Sequence, residues 1–244
     1  EVMVADARQT VAGRWIVQAK EAGVELRAGM AVVDVTGKMA VSGVELAAAS
    51  GAVERRPCDV LCVSGGWSPA VHLTSHNGGK PRYRQDIAAF VPGDFGAGQF
   101  GAGAVTGSFG SADAVRQGFE AGRKAAALTG HDGKAGEMAI PQDDSDGTYA
   151  IEPVWLPAKP GRGKAFVDIQ NDVTVKDVRQ AHREGYQSVE HLKRYTTLGM
   201  GTDQGKTSNI NALAIMAGLR GIAIPEAGTT TFRPPYGPVA IGAL

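Results

Sequence analysis

The sequence predicts an α/β chain, with a Rossmann-like portion of a dinucleotide fold followed by a small helical domain. Three observations carry this reading. Residues 2–26 alternate strand, helix and strand; a glycine-rich segment runs directly into a helix near residue 111; and from Phe166 the texture changes to short amphipathic helices.

Residues 2–5 form an apolar strand closing on Asp6, and a helix follows to about Glu21. Gly23 ends it, and Val24–Leu26 opens the next strand. Residues 31–35 and 40–47 read as further strands separated by Gly37-Lys38. A basic Arg55-Arg56-Pro57 turn leads into an apolar run, Val60–Val63, expected to be a buried strand, and then into Ser64-Gly-Gly-Trp-Ser-Pro69. A second glycine-rich region covers Val91–Gly110 and opens a helix over Ser111–Leu128. Residues 129–163 carry turn residues with little periodicity and read as a connector. Thr174 and Asp177 have capping-box spacing before Val175, Val178 and Ala181, which share one helical face ended by Gly185. Ser188 starts a helix bearing Val189, Leu192 and Tyr195. A third begins near Thr207-Ser208, with Ile210, Leu213, Ala214 and Ala217 on one face and Gly221 as its stop.

The net charge of zero gives no bulk attraction to nucleic acid or anionic lipid, and the apolar runs are strand-sized. The 34 glycines cluster in particular loops, as tight turns and close backbone approaches require. Cys58 and Cys62, the two cysteines, lie four apart on one predicted strand, too far for a disulfide. Buried free thiols, and a reducing cytoplasmic location, are the expectation. Glu1–Asp6 reads as a strand already under way and the tail ends on an apolar run, so both ends are expected to lie inside a longer chain.

Val2–Asp6 looks like the second strand of a Rossmann unit, whose terminal acid can accept bonds from a ribose; the bland alternative is an Asp capping its own turn. Phe100–Gly110 offers backbone N–H groups at the start of a helix, a setting suited to a pyrophosphate. Gly199–Thr207 superficially resembles a phosphate-binding P-loop. The glycine that motif needs is Met200 here, and no strand precedes it, so the reading is rejected. Lys206 and the amides of Thr207 and Ser208 remain a candidate anion site. The histidines His72, His76, His131, His182 and His191 share no metal spacing with carboxylates, and no Ser/His/Asp arrangement emerges. A disulfide-type reductase would need a redox cysteine pair beside flavin, which Cys58 and Cys62 on one strand do not supply.

Four segments, Phe166–Asp177, Gly185–Thr197, Gly199–Thr207 and Thr229–Tyr236, resemble the α-subunit family of heterotetrameric sarcosine oxidase, and residues 58–69 and 100–110 match the same family. The resemblance implies an FAD/NAD(P)-binding domain of the disulfide-reductase type over 1–130, a connector over 131–165, and a small helical domain over 166–225. Residues 226–244 would start a linker to a folate-binding domain. The helical domain would be a [2Fe–2S] ferredoxin-like (BFD-type) domain without its cysteines. Alignment puts the cluster ligands of related dehydrogenases at Asp168, Gln170, Asp203 and Ser208, none of which is cysteine, so no metal is expected.

The resemblance further implies oxidative demethylation of sarcosine with oxygen, giving peroxide and a one-carbon unit passed to tetrahydrofolate. NAD+ would lie against Gly101, Gly103, Thr106, Gly107 and Ser108. FMN, shared with the β subunit, would meet Gln204, Lys206, Thr207, Thr231 and Arg233, and FAD would sit only on β. The implied partners are β, γ and δ subunits, with no catalytic residue on this segment. The competing reading is a non-catalytic assembly module of a related amine or amino-acid dehydrogenase complex.

Overall fold

The computed structural model describes residues 1–131, 136, 138–141, 151–157, 161–234 and 236–243. Most of the predicted connector therefore lies outside the described residues. The chain divides into two compact units: Glu1–Gly66 with the described part of 150–165, and Trp67–Tyr149 with Phe166–Leu244 where described. Packing thus groups residues 67–131 with the helices after 166, whereas the division by resemblance follows the order of modules along the chain.

In the first unit, strand β1 (Met3–Asp6) and strand β2 (Glu25–Ala28) pair in parallel, joined by helix α1 (Arg14–Glu21). This is the predicted strand–helix–strand unit, and a helical crossover is what parallel pairing needs. Strands β3 (Met30–Gly37), β4 (Val41–Ala48) and β5 (Val53–Pro57) form an antiparallel sheet in chain order. Only β4 is well covered, with Leu46 fully buried. The Arg55-Arg56-Pro57 segment is the end of β5 and not a turn. Its side chains explain why: Arg56 pairs with Glu54 and Glu25 (2.9 Å to the latter), and Arg27 pairs with Glu25, so β2 and β5 are tied by a charge network.

The predicted strand Val60–Val63 does not form, and Val60 and Val63 are 68% and 82% exposed. The reason is register. Cys58 N–H still reaches Ser42 O at 3.3 Å, but β4 begins at Val41, so the ladder has no further partner to offer. The expectation of buried thiols fails with it: Cys58 is half-buried and Cys62 exposed, both as free thiols.

In the second unit, helix α2 (His72–His76) precedes a hairpin of strands β6 (Arg82–Arg84) and β7 (Ala89–Val91). Helix α3 (Ser111–Leu128) follows the glycine-rich turn at the predicted position. Strands β8 (Phe166–Asp168) and β9 (Val173–Thr174) lead into helices α4 (Val175–Arg183), α5 (Val189–Thr196), α6 (Asn209–Arg220) and α7 (Ile224–Ala227). The capping box is present: Thr174 Oγ1 accepts from Asp177 N, while Asp177 accepts from Thr174 N at 2.8 Å. Val175, Val178 and Ala181 point into one core with Leu192, Leu198, Ile215 and Met216. A second core joins Val189, Leu213 and Ala217 to Phe90 of β7. Among the described residues no helix is long and apolar enough to cross a membrane.

Candidate functional site

Asp6 makes the local contacts expected of the turn-capping alternative. Its carboxylate accepts from Arg8 N at 2.9 Å and from Arg8 Nε at 3.0 Å, and the guanidinium holds its pKa below the ordinary value despite burial. It caps its own turn.

The glycine-rich turn is held from inside. A short 3₁₀ turn, Gly103–Thr106, precedes α3, and Gly103 and Gly107 both have positive φ (66° and 81°). A Cβ on Gly107 would stand 2.7 Å from Ile87 Cδ1, and one on Gly101 would stand 2.2 Å from Phe95 Cζ. The space beside Gly101 is thus taken by an aromatic ring of the protein itself. Gln117 reaches back from α3: its Oε1 accepts from Gly103 N at 2.9 Å and lies 2.9 Å from Thr106 Oγ1, and its Nε2 donates to Ser108 Oγ at 2.7 Å. Arg84 donates to Thr106 O at 3.3 Å. All five residues predicted for this turn therefore lie together. Gln117 was not foreseen, because its role rests on the turn folding back over α3. The helix beyond has no side-chain cap; Asp113 in its first turn pairs with Arg116.

The two segments of the second predicted set meet through Lys206, whereas Thr231 bonds to α5 instead of to the 204–207 loop. Lys206 Nζ donates to Tyr236 O at 2.6 Å and to Asp203 O at 3.2 Å, and lies 4.3 Å from the Tyr236 ring centre. The loop before α6 is therefore tied to the 229–236 segment. Thr207 donates through N and Oγ1 to Asp203, at 3.3 and 2.7 Å. Gln204 takes positive φ (52°) and its Nε2 donates to Gly201 O at 3.0 Å. Thr231 O accepts from Lys193 Nζ at 2.9 Å, and Thr231 N donates to Glu190. Arg233 is exposed and, among the described residues, forms no ion pair with a carboxylate.

Sequence reasoning passed over His72. It is only 3% exposed, packs 4.0 Å from the Phe232 ring, and places Nε2 2.8 Å from Gln204 O. His72 and Phe232, with Phe90, Lys206, Asn209 and Thr229, line a cleft of about 50 Å³. Burial holds the His72 pKa below its ordinary value, against the pull of the Gln204 bond. A buried histidine joining three distant segments leaves no periodic mark in the sequence.

Three of the four positions aligned with cluster ligands, Asp168, Gln170 and Asp203, form a hydrogen-bonded knot, while the buried Ser208 hydroxyl has no partner among the described residues. Asp168 Oδ2 accepts from Gly199 N at 2.7 Å, and Gln170 Oε1 accepts from Thr202 Oγ1 at 2.9 Å and Asp203 N at 3.1 Å. Asp203 Oδ1 accepts from Gly205 N at 3.0 Å, and Ser208, a few residues on, is buried. These side chains pin the loop between β8 and α6. Among the described residues no group of three or more His, Cys, Asp or Glu is placed to hold a metal ion.

Residues 162–244 match the sarcosine oxidase A3 domain. The whole chain aligns at 42% identity with the α subunit of sarcosine oxidase from Corynebacterium sp. (strain P-1), and 85% of it at 43% identity with that of Rhizobium meliloti (strain 1021). The chain is homologous to the sarcosine oxidase α subunit. It spans about a quarter of the length of these α-subunit relatives, 26% and 21% respectively. A shorter stretch, 30% of the chain, is 30% identical to one subunit of opine oxidase from R. meliloti. Among solved structures, L-proline dehydrogenase from P. horikoshii matches the whole chain with a TM-score of 0.69 at 21% identity, over 49% of its own chain. That likeness is one of α/β fold.

Proposed function

We propose that this chain is a cofactor-binding portion of a sarcosine-oxidase-type oxidoreductase. The reaction would demethylate sarcosine oxidatively to glycine, with oxygen reduced to peroxide and the one-carbon unit handed to tetrahydrofolate. The observation that carries the proposal is the 42% identity, over the entire chain, to the α subunit of a sarcosine oxidase. Residues 1–130 would be the end of an FAD/NAD(P)-binding domain of disulfide-reductase type, and 166–225 a BFD-type domain in which hydrogen bonds from Asp168, Gln170 and Asp203 replace a cluster. The rest of the assembly, β, γ and δ subunits and a folate-binding domain, would complete the enzyme in the cytoplasm.

NAD+ is assigned to the turn Gly101, Gly103, Thr106, Gly107 and Ser108. What supports the assignment is the end of the turn, where α3 starts without a side-chain cap and the half-buried Ser108 lies beside it; the side of Gly101 is taken by Phe95 and the Gly103 N–H by Gln117. FMN is assigned to Gln204, Lys206, Thr207, Thr231 and Arg233. Of the five, Lys206 lines the cleft beside His72, which at about 50 Å³ is too small to enclose a flavin. What these residues offer is one wall, with the guanidinium of Arg233 suited to a phosphate, and a second subunit would supply the other wall. When bound, the flavin supplies the two-electron carrier and this chain supplies its anchoring. FAD belongs to the β subunit in this reading.

The test is to purify the full-length protein with its co-expressed partners and assay NAD+, FMN and sarcosine-dependent peroxide. Stoichiometric NAD+ and FMN with peroxide formation are expected, and Arg233→Ala should lower FMN retention about tenfold or more while leaving NAD+ in place. An assembly without flavin or peroxide would leave the second reading, a non-catalytic assembly module. That reading draws on the exposed apolar side chains Val60, Val63 and Trp67.

A further inference from the structure

We propose that Gln117 is a positioning residue that fixes the Ser108 hydroxyl as an outward hydrogen-bond donor to an acceptor oxygen of the bound dinucleotide. This rests on the NAD+ reading above. The argument is one of hydrogen-bond polarity. A backbone N–H can only donate, so the Gln117 atom 2.9 Å from Gly103 N is the side-chain oxygen. The orientation of the amide is thereby set by the backbone and not by choice of flip. Thr106 is compatible with it. Its hydroxyl lies 2.8 Å from Gly103 O and 2.9 Å from Gln117 Oε1, both acceptors, and its single hydrogen serves either.

The other end of the amide follows. Nε2 carries only hydrogens, so at 2.7 Å from Ser108 Oγ it donates and the serine oxygen accepts. The serine's own hydrogen cannot lie on that line. Among the described residues Ser108 Oγ has no other partner, and the residue is half-buried, so the hydrogen is presented to the open side of the turn. A serine in an unconstrained loop would share its hydrogen among several acceptors and water. Here one side chain removes the inward choices. The turn is thereby given an outward donor in advance, which suits phosphate or ribose oxygens.

Glutamate at position 117 separates polarity from shape. A carboxylate keeps the acceptor for Gly103 N and Thr106, and its second oxygen accepts from Ser108, turning the serine hydrogen inward. The turn stays closed while the outward donor is lost. The measurement is NAD+ retained per protomer, with the apparent dissociation constant, in the full-length protein in its native assembly at pH 8. It would be run for wild type, Ser108→Ala, Gln117→Glu and the double variant, with the melting temperature of the dinucleotide-free forms alongside.

Ser108→Ala and Gln117→Glu should each weaken NAD+ binding about tenfold, with melting temperatures close to wild type. The double variant should be no weaker than Ser108→Ala alone, because both changes remove the same hydrogen. Three results would overturn the inference: Ser108→Ala binding like wild type, Gln117→Glu binding like wild type, or equal further weakening by Gln117→Glu in the Ser108→Ala background. The last would mean charge repulsion. Should Gln117→Glu fail to fold, Ser108→Ala still decides, since it leaves the Gly103 and Thr106 bonds untouched. Wild-type protein holding no NAD+ would instead remove the cofactor assignment itself, a separately visible outcome.

Discussion

The helical segment 173–221 and the extended run 58–67 are both rich in apolar residues, yet they end in opposite environments. Val178, Ala181, Leu192, Ala212 and Met216 are fully buried, whereas Val60, Val63 and Trp67 are 68%, 82% and 69% exposed. The difference lies in who supplies the backbone partners. A helix closes its hydrogen bonds within itself, so an amphipathic stripe needs only a neighbouring stripe to bury. A strand needs another strand in register, and β4, which begins at Val41, has no residue left to pair with Val60–Val63. Hydrophobicity alone therefore does not fold a strand.

The sharpest way to break this comparison is to cut the helical core. Leu192 is 0% exposed within the cluster of Val178, Leu198 and Met216. Leu192→Ala should cost about 2–5 kcal/mol, the range for deleting a buried leucine side chain, read as urea unfolding of the full-length protein followed by helical circular dichroism. A loss below about 1 kcal/mol would mean that the helices do not depend on this core.

A smaller effect sharpens the comparison a few residues past the run. Whereas the Val63 side chain stands in solvent, His72 is fixed by the Gln204 carbonyl and the Phe232 ring. Its folded pKa lies below the ordinary value of 6.5 because burial disfavours the charged ring. The unfolded chain therefore binds the proton first as pH falls below about 6.5. Stability from the neutral ring is full above that pH and lost as pH falls towards the folded pKa. His72→Gln keeps a donor for Gln204 O and cannot titrate. It should flatten the fall in stability between pH 7 and 5 by up to about 1.4 kcal/mol per pH unit. An unaltered slope would place the titrating group elsewhere.

What was legible in the sequence follows the same division. The capping box at Thr174, the buried face of Val175, Val178 and Ala181, and the stop at Gly221 are local patterns and fold as written. So does the glycine-rich turn opening α3. The Arg55–Pro57 segment reads as a turn because its charges suggest one. In the fold Arg56 meets Glu25 of β2 and Arg55 meets Glu45 of β4, pairings between separate strands that no local window contains. At the candidate site, residues 101–108 were legible as glycines and small hydroxyls, but Gln117 and His72 were not. Each acts through a bond to a distant backbone atom, 14 and 132 residues away.

The smallest effect is the most informative about the run itself. Val63 is a β-branched residue in an apolar stretch, and a buried strand would lose the transfer energy of its side chain on conversion to serine, about 1.5–3 kcal/mol. With 82% of its surface exposed, the valine has little to lose. Exposure also removes the second penalty, since a serine hydroxyl there is met by water instead of being stranded in an apolar core. Val63→Ser should therefore change stability by no more than about 0.5 kcal/mol, the usual bound for surface substitutions. The measurement is the same urea unfolding, with hydrogen exchange of the amides of residues 60–63 as a companion. Exchange should be fast, because after the Cys58 rung these amides have no ladder to protect them. A cost above about 1.5 kcal/mol together with slow exchange would mean that a neighbouring strand covers the run. The contrast with the helical segment would then be one of partner choice and not of exposure.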